Sequence, residues 1–203
     1  MPRPADRRRF TPAQRRVHRA TAALMLGCLA TAACLYLPPF AELVGRRRLV
    51  ATVHEWCGLL LPVPLLLGLV SRAMRRDAVR LGRFTRADRT WLRGLRRGVP
   101  GRPAGKFNAG QKLYAQWTLG AMLVMLGTGL LMWFTHLAPT LWRTGATFVH
   151  DWFALGVAAV TAGHLWMAAR DPESRRGMRT GHVDRSWAER EHPLWVDSEP
   201  GGS

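Results

Sequence analysis

Lysine is almost absent from this chain: of 30 basic residues only Lys106 and Lys112 are lysine, and the others are arginine. Acidic residues are few as well, 13 Asp and Glu together, which leaves a formal net charge of +17 over 203 residues. Such a balance suits nucleic-acid binding when the charge covers one face of a folded domain. Here the arginines lie between long uncharged runs, which argues against that class and for membrane topology and lipid headgroups. Cysteine is scarce too. Cys28, Cys34 and Cys57 all lie within apolar runs, and none forms C-x-x-C or C-x-x-C-H. That pattern gives no support for covalent haem c, a zinc ribbon, iron–sulfur ligation or a disulfide scaffold, and leaves the cysteines as small packing residues. No G-x-G-x-x-G or G-x-x-x-x-G-K run and no internal repeat is present, so nucleotide-binding folds gain no support.

What the chain does have is segregation. Its mean hydropathy is close to zero, yet apolar runs alternate with arginine-dense stretches. A helix crossing the ~30 Å hydrocarbon core needs about 20 apolar residues, because its backbone groups must be satisfied within the segment. Four segments qualify: residues 17–37, 49–71, 113–134 and 146–169. They predict an all-α fold, an integral membrane four-helix bundle over residues 17–169. A basic N-terminal segment, 1–16, precedes it and a tail, 170–203, follows. Pro62 and Pro64 should bend the second helix. Arg7-Arg8-Arg9-Phe10 resembles a twin-arginine export signal. The uncharged run after it, 20–41, is longer than a usual signal segment, so a retained helix is expected.

Twenty-six of the thirty basic residues lie at or before Arg19, between the second and third spans, or after the fourth. The positive-inside rule therefore predicts both termini and the long middle loop in the cytoplasm. Arg46, Arg47 and Arg48, in an outer loop, oppose the rule. In the middle loop, residues 72–97 could form an amphipathic surface helix. The polar tail beyond 171 is expected to cling to a partner or to be disordered.

Seven histidines are present, and four of them, His18, His54, His150 and His164, lie just inside span ends. An ionisable residue at membrane depth is costly and points to function. His150 and His164 are fourteen residues apart, which returns them to one face of a helix about 21 Å apart along its axis. With alternating helix directions, His54 matches His150 in depth on the outer side, and His18 matches His164 on the inner side. Each pair offers two imidazoles, the axial set for a six-coordinate haem in a bundle core. Two haem b groups, one per leaflet, are expected. Gly58, Gly127, Gly129, Gly156 and Gly163 would let a porphyrin approach the backbone. His136, His182 and His192 read as loop or tail residues, and Glu55 and Asp151 as outer-haem neighbours or headgroup-facing acids.

Before the third span stands Gly105-Lys106-Phe107-Asn108-Ala109-Gly110-Gln111-Lys112. Asn108 and Gln111 offer donors and acceptors to a quinone carbonyl, and Gly110 permits close approach. Asn108 would equally serve as a helix N-cap. This run, with the four histidines, resembles the cytochrome b (gamma) subunit of membrane-bound formate dehydrogenase, within the nickel-hydrogenase-type, cytochrome b561-like group. The resemblance covers roughly residues 14–195, and His18, His54, His150 and His164 match that branch's haem ligands. It implies a bacterial inner-membrane, multi-pass subunit of a respiratory oxidoreductase. An iron–sulfur beta subunit and a molybdenum or tungsten alpha subunit would supply electrons from formate. Menaquinone or ubiquinone would be reduced near the inner haem, in contact with Asn108, Gly110, Gln111 and Lys112. The formate-oxidising centre would not lie in this chain, and Arg46, Arg47 and Arg48 match nothing in the family pattern. The alternatives are the cytochrome b subunit of a hydrogenase or thiosulfate reductase, or a haem-free membrane assembly or transport protein that uses its histidines otherwise.

Overall fold

The structure, a computed structural model, describes residues 6–99, 102–136 and 138–198. The first residues of the expected N-terminal segment, two of the Gly/Pro-rich stretch and the end of the tail lie outside them. Four helices are long and apolar enough to cross a membrane: Pro12–Tyr36, Arg47–Gly68, Ala109–Trp133 and Thr140–Arg170. No more than 11% of each apolar window is buried. Side chains such as Leu66, Leu67, Leu123 and Leu155 are exposed by 60% or more. A water-soluble domain does not carry that much apolar surface; a bilayer accepts it. The protein is an all-α integral membrane protein.

In chain order the elements are β1 (Asp6–Arg8), α1 (Pro12–Tyr36), α2 (Pro38–Val44), α3 (Arg47–Leu60), α4 (Val63–Gly68), α5 (Arg72–Gly82) and α6 (Arg86–Arg96). They continue with α7 (Ala109–Trp133), α8 (Thr140–Arg170), α9 (Pro172–Thr180), β2 (His182–Asp184), α10 (Arg185–Glu191) and α11 (Pro193–Ser198). The second span is divided into α3 and α4 where Pro62 removes a backbone donor. The chain separates into two compact units.

One unit comprises residues 17–68 and 118–162. Small residues allow close helix approach there: a Cβ on Gly27 of α1 would stand 3.2 Å from Cys57 Sγ of α3. Trp56 of α3 meets Trp133 of α7 edge to face at 6.0 Å. Tyr36 donates to Asp151 Oδ1 at 2.6 Å, and Arg47 Nη1 donates to Leu35 O at 2.9 Å. These polar contacts tie the end of α1 to α8 and to the start of α3.

The other unit comprises residues 1–16, 69–117 and 163–203, of which the described ones are ordered around two small cores. The expected single surface helix over 72–97 is two helices, α5 and α6. The break falls where Thr85 begins a capping box with Asp88, each side chain accepting from the other's backbone N–H. The described part of the tail, residues 170–198, is ordered. It folds as α9, β2, α10 and α11, and β2 pairs antiparallel with β1 in the register Arg7↔Val183. Val183, Ala188 and Trp195 form its core. Arg9 is buried: its Nη2 donates to Lys106 O at 2.9 Å and meets His192 Nε2 at 3.1 Å. His192 Nδ1 donates to Gly105 O at 2.6 Å, so its Nε2 is the acceptor for Arg9. Burial and the Arg9 charge push the His192 imidazole down to about 3, so it stays neutral. Residues that resemble an export motif thus hold the N-terminal strand against the tail.

Gly181 closes that clasp at φ +90°, and a Cβ there would stand 2.6 Å from Phe10 O. Its carbonyl accepts from Arg9 N and Phe10 N at 2.8 and 3.1 Å. Gly181→Ala should therefore destabilise this unit by about 1–3 kcal/mol. Faster hydrogen exchange at the Arg9 and Phe10 amides and a lower unfolding midpoint are the expected readouts; unchanged exchange would contradict the argument.

Candidate cofactor site

His54 on α3 and His150 on α8 come together within one unit, with ring centres 6.2 Å apart and ring planes at 69°. Both are half-buried. His54 Nδ1 lies 2.8 Å from Thr31 Oγ1 and 3.2 Å from Cys28 O. A carbonyl only accepts, so Nδ1 carries the hydrogen. Thr31 Oγ1 directs its own hydrogen to Gly27 O at 2.7 Å, with Cys28 O at 3.0 Å. Its lone pair is then what faces the imidazole. The same arrangement recurs on the other side. Thr128 Oγ1 lies 2.9 Å from His150 Nδ1 and donates to Val124 O at 2.7 Å, with Met125 O at 3.2 Å. In both rings Nδ1–H is the donor and Nε2 presents its lone pair.

That tautomer is the one a metal ligand needs. A metal–imidazole bond is about 2.0 Å, and the ring centre lies roughly 1.2 Å behind the ligating nitrogen, so two axial rings on one ion have centres about 6.4 Å apart. The observed 6.2 Å fits. Among the described residues no group of three or more His, Cys, Asp and Glu could hold a metal ion. An ion bound by this pair alone would need four equatorial donors from elsewhere, which a porphyrin supplies. Gly129 packs beside His150, where a Cβ would stand 3.5 Å from His150 Cε1, an ordinary contact. Around Gly58, Gly127 and Gly163 a Cβ would meet nothing within 4 Å.

His164 is half-buried on α8 and stacks on Tyr114 at 4.6 Å with an interplanar angle of 16°. His18 is exposed on α1, in the unit that holds His54 and His150. Asp151 accepts from Tyr36, as above.

The 108–112 turn begins α7 with a reciprocal cap: Asn108 N donates to Gln111 Oε1 at 3.0 Å, and Gln111 N donates to Asn108 Oδ1 at 2.9 Å. The helix-start role open to Asn108 is therefore formed, and the two carboxamide N–H₂ groups are the donors it leaves over. A Cβ on Gly110 would stand 3.4 Å from both Asn108 Oδ1 and the Trp91 ring. Lys112 is buried, its ammonium donating to Asp88 Oδ2 at 2.7 Å and Arg83 O at 3.0 Å. Burial works against the Asp88 carboxylate, but the Lys112 and Thr85 donors outweigh it and hold its pKa below the usual range. Lys106 donates to Asp77 Oδ2 at 2.6 Å, and Gln14 Nε2 donates to the same oxygen at 2.5 Å. Burial lowers the Lys106 pKa against the pull of Asp77. A cavity of about 280 Å³ is lined by Lys106, Phe107 and Lys112 together with Thr85 and Trp195, whereas Asn108, Gly110 and Gln111 do not line it.

Thr31 and Thr128 escaped sequence reasoning. Each is a lone hydroxyl in an apolar run, which ordinarily bonds back to its own helix, and nothing local reveals a partner 22 or 23 residues away.

Four membrane helices around facing imidazoles place the molecule among membrane cytochromes of the b type. The family described as prokaryotic cytochrome b561 matches residues 9–181, and the chain belongs to that family, which carries haem b. The formate dehydrogenase cytochrome b556 subunit of Haemophilus influenzae is 27% identical over 181 residues, covering 83% of this chain and 73% of its own length. The nitrate-inducible formate dehydrogenase cytochrome b556(Fdn) subunit of Escherichia coli K12 is 33% identical over 96 residues, 45% of this chain and 43% of that one. The b556(fdo) subunit of the same organism is 21% identical over 196 residues, 92% and 90% of the two lengths.

Proposed function

We propose that the chain is the dihaem cytochrome b subunit of a respiratory formate dehydrogenase of the bacterial inner membrane. It would carry electrons from an outer iron–sulfur subunit, fed by a molybdenum or tungsten catalytic subunit, across the bilayer to a quinone. The observation that carries this reading is the facing of His54 and His150 at one-metal distance, both in the ligating tautomer. Similarity to three formate dehydrogenase cytochrome subunits supports the assignment to that enzyme. Bound haem b supplies one-electron transfer. The surrounding residues would orient the two imidazoles through Nδ1, and apolar helix faces would exclude water.

For the inner haem we pair His18 with His164. The support is the alternating direction of the spans and the fourteen-residue spacing from His150, about 21 Å away on the same helix face. The arginine count supports a cytoplasmic side for both termini and the 72–112 loop.

We place the quinone, menaquinone or ubiquinone, against the 108–112 turn. The carboxamide N–H groups of Asn108 and Gln111 offer donors to its carbonyl, Gly110 keeps the turn narrow, and Lys112 anchors it through Asp88. Asn108→Ala with Gln111→Ala tests this. Two lost hydrogen bonds of about 0.5–1.5 kcal/mol each should slow haem reoxidation by quinone roughly ten-fold or more. A cap without a quinone role predicts a helix weaker by about 1–2 kcal/mol and normal reoxidation in haem-loaded protein. Stopped-flow reoxidation of the formate-reduced complex separates the two.

A further inference from the structure

The two ligand-bearing helices of the outer pair are each served by a neighbour that repeats one small construction. On α1, Thr31 presents Oγ1 to His54, hydrogen-bonds back to Gly27 O four residues earlier, and sets Cys28 O, three residues earlier, beside the same imidazole nitrogen. On α7, Thr128 presents Oγ1 to His150, bonds back to Val124 O four residues earlier, and sets Met125 O three residues earlier. The Nδ1 distances, 2.8 and 2.9 Å, are equal for practical purposes. A threonine that only satisfied itself by back-bonding would need no imidazole opposite. Finding one opposite both, on two different helices, makes the hydroxyl lone pair the shared element.

We propose that Thr31 and Thr128 are matched positioning residues, each taking the Nδ1–H of one axial ligand and thereby fixing ring orientation, tautomer and the reduction potential of the outer haem. This rests on the haem reading above. The physics is that of outer-shell partners: an acceptor on Nδ1–H raises the basicity of Nε2, which favours the ferric state. Two such acceptors, one on each imidazole, would act in the same direction. Removing either weakens the ligand's donation and raises the midpoint potential of that haem alone. The i−3 carbonyls remain as partial acceptors, so the ligating tautomer persists and the haem stays bound.

The test uses the full chain in its purified complex, with potentials resolved by optical redox titration and ligand geometry by low-spin electron paramagnetic resonance. Thr31→Val and Thr128→Val keep side-chain shape and remove the acceptor. Both should shift the same haem upward, the double variant should shift it further, and the other haem should not move. Thr31→Ser and Thr128→Ser should return the wild-type potential. Loss of that haem in a valine variant with retention in the serine variant supports the same role. Two bound haems with unmoved potentials, or valine variants that shift different haems, would overturn the proposal. Absence of any haem removed by both His54→Ala and His150→Ala is a separate result, which defeats the haem reading itself.

Discussion

His54→Ala and His150→Ala are each expected to leave one haem b per chain instead of two, and the haem lost is the same in both. The rings face each other at 6.2 Å with Nδ1 held by hydroxyls, so each contributes one Nε2 to a single site. Removing either would take away one of the two imidazoles that would hold the group, and among the described residues no group of three or more His, Cys, Asp and Glu could hold a metal ion in its place. His18→Ala and His164→Ala should remove the other haem by the same reasoning. The pyridine haemochrome assay gives the stoichiometry, and redox difference spectra identify which haem persists. Four variants that fall into the pairs 54 with 150 and 18 with 164 support both the ligand set and the helix directions. A pairing of 18 with 150 would reverse a helix. A wild-type chain with one haem would leave two of the four histidines without the role proposed here.

The spans were legible because lipid imposes a strong constraint: uncharged runs of about 20 residues have few other uses. Their ends were less so. α8 begins at Thr140 rather than 146, because Arg143 and Thr144 interrupt the apolar run while helical hydrogen bonding continues through them. α7 begins at Ala109, its polar first turn organised by the Asn108 and Gln111 cap. Counting alone suggested that His54 and His150 lie at one depth, and the structure brings their rings together from 96 positions apart. The folded tail could not be read. Its core is three residues, Val183, Ala188 and Trp195, and its strand is three residues long. What orders it is non-local: Arg9, some 180 residues away, lies over Trp187 at 5.0 Å and bonds His192. No window of sequence contains both halves of that contact.

Lys112→Met is expected to destabilise the protein by about 3–5 kcal/mol, because it removes one partner of a buried ion pair and leaves the other charged. Lys112 and Asp88 have side chains only 10% and 5% exposed and meet at 2.7 Å. Asp88 Oδ2 also accepts from Thr85 N and Thr85 Oγ1 at 2.7 and 2.8 Å, so the same carboxylate starts α6 and anchors α7. Methionine keeps the stem and the packing, which confines the change to the charge. Adding Asp88→Asn should recover much of the loss, since an amide oxygen still serves the Thr85 cap. The pH dependence follows from the sign of the Asp88 shift. Its folded-state pKa lies below the unfolded value of about 3.9, so the pair stabilises fully above that pH. The advantage of wild type over the double variant should therefore be flat from neutral pH to about 5, and fade as pH falls through the lowered value. Thermal unfolding in detergent across that range measures it. A Lys112→Met protein that unfolds like wild type but whose haems are reoxidised slowly by quinone would instead move Lys112 from anchoring the turn to touching the head group.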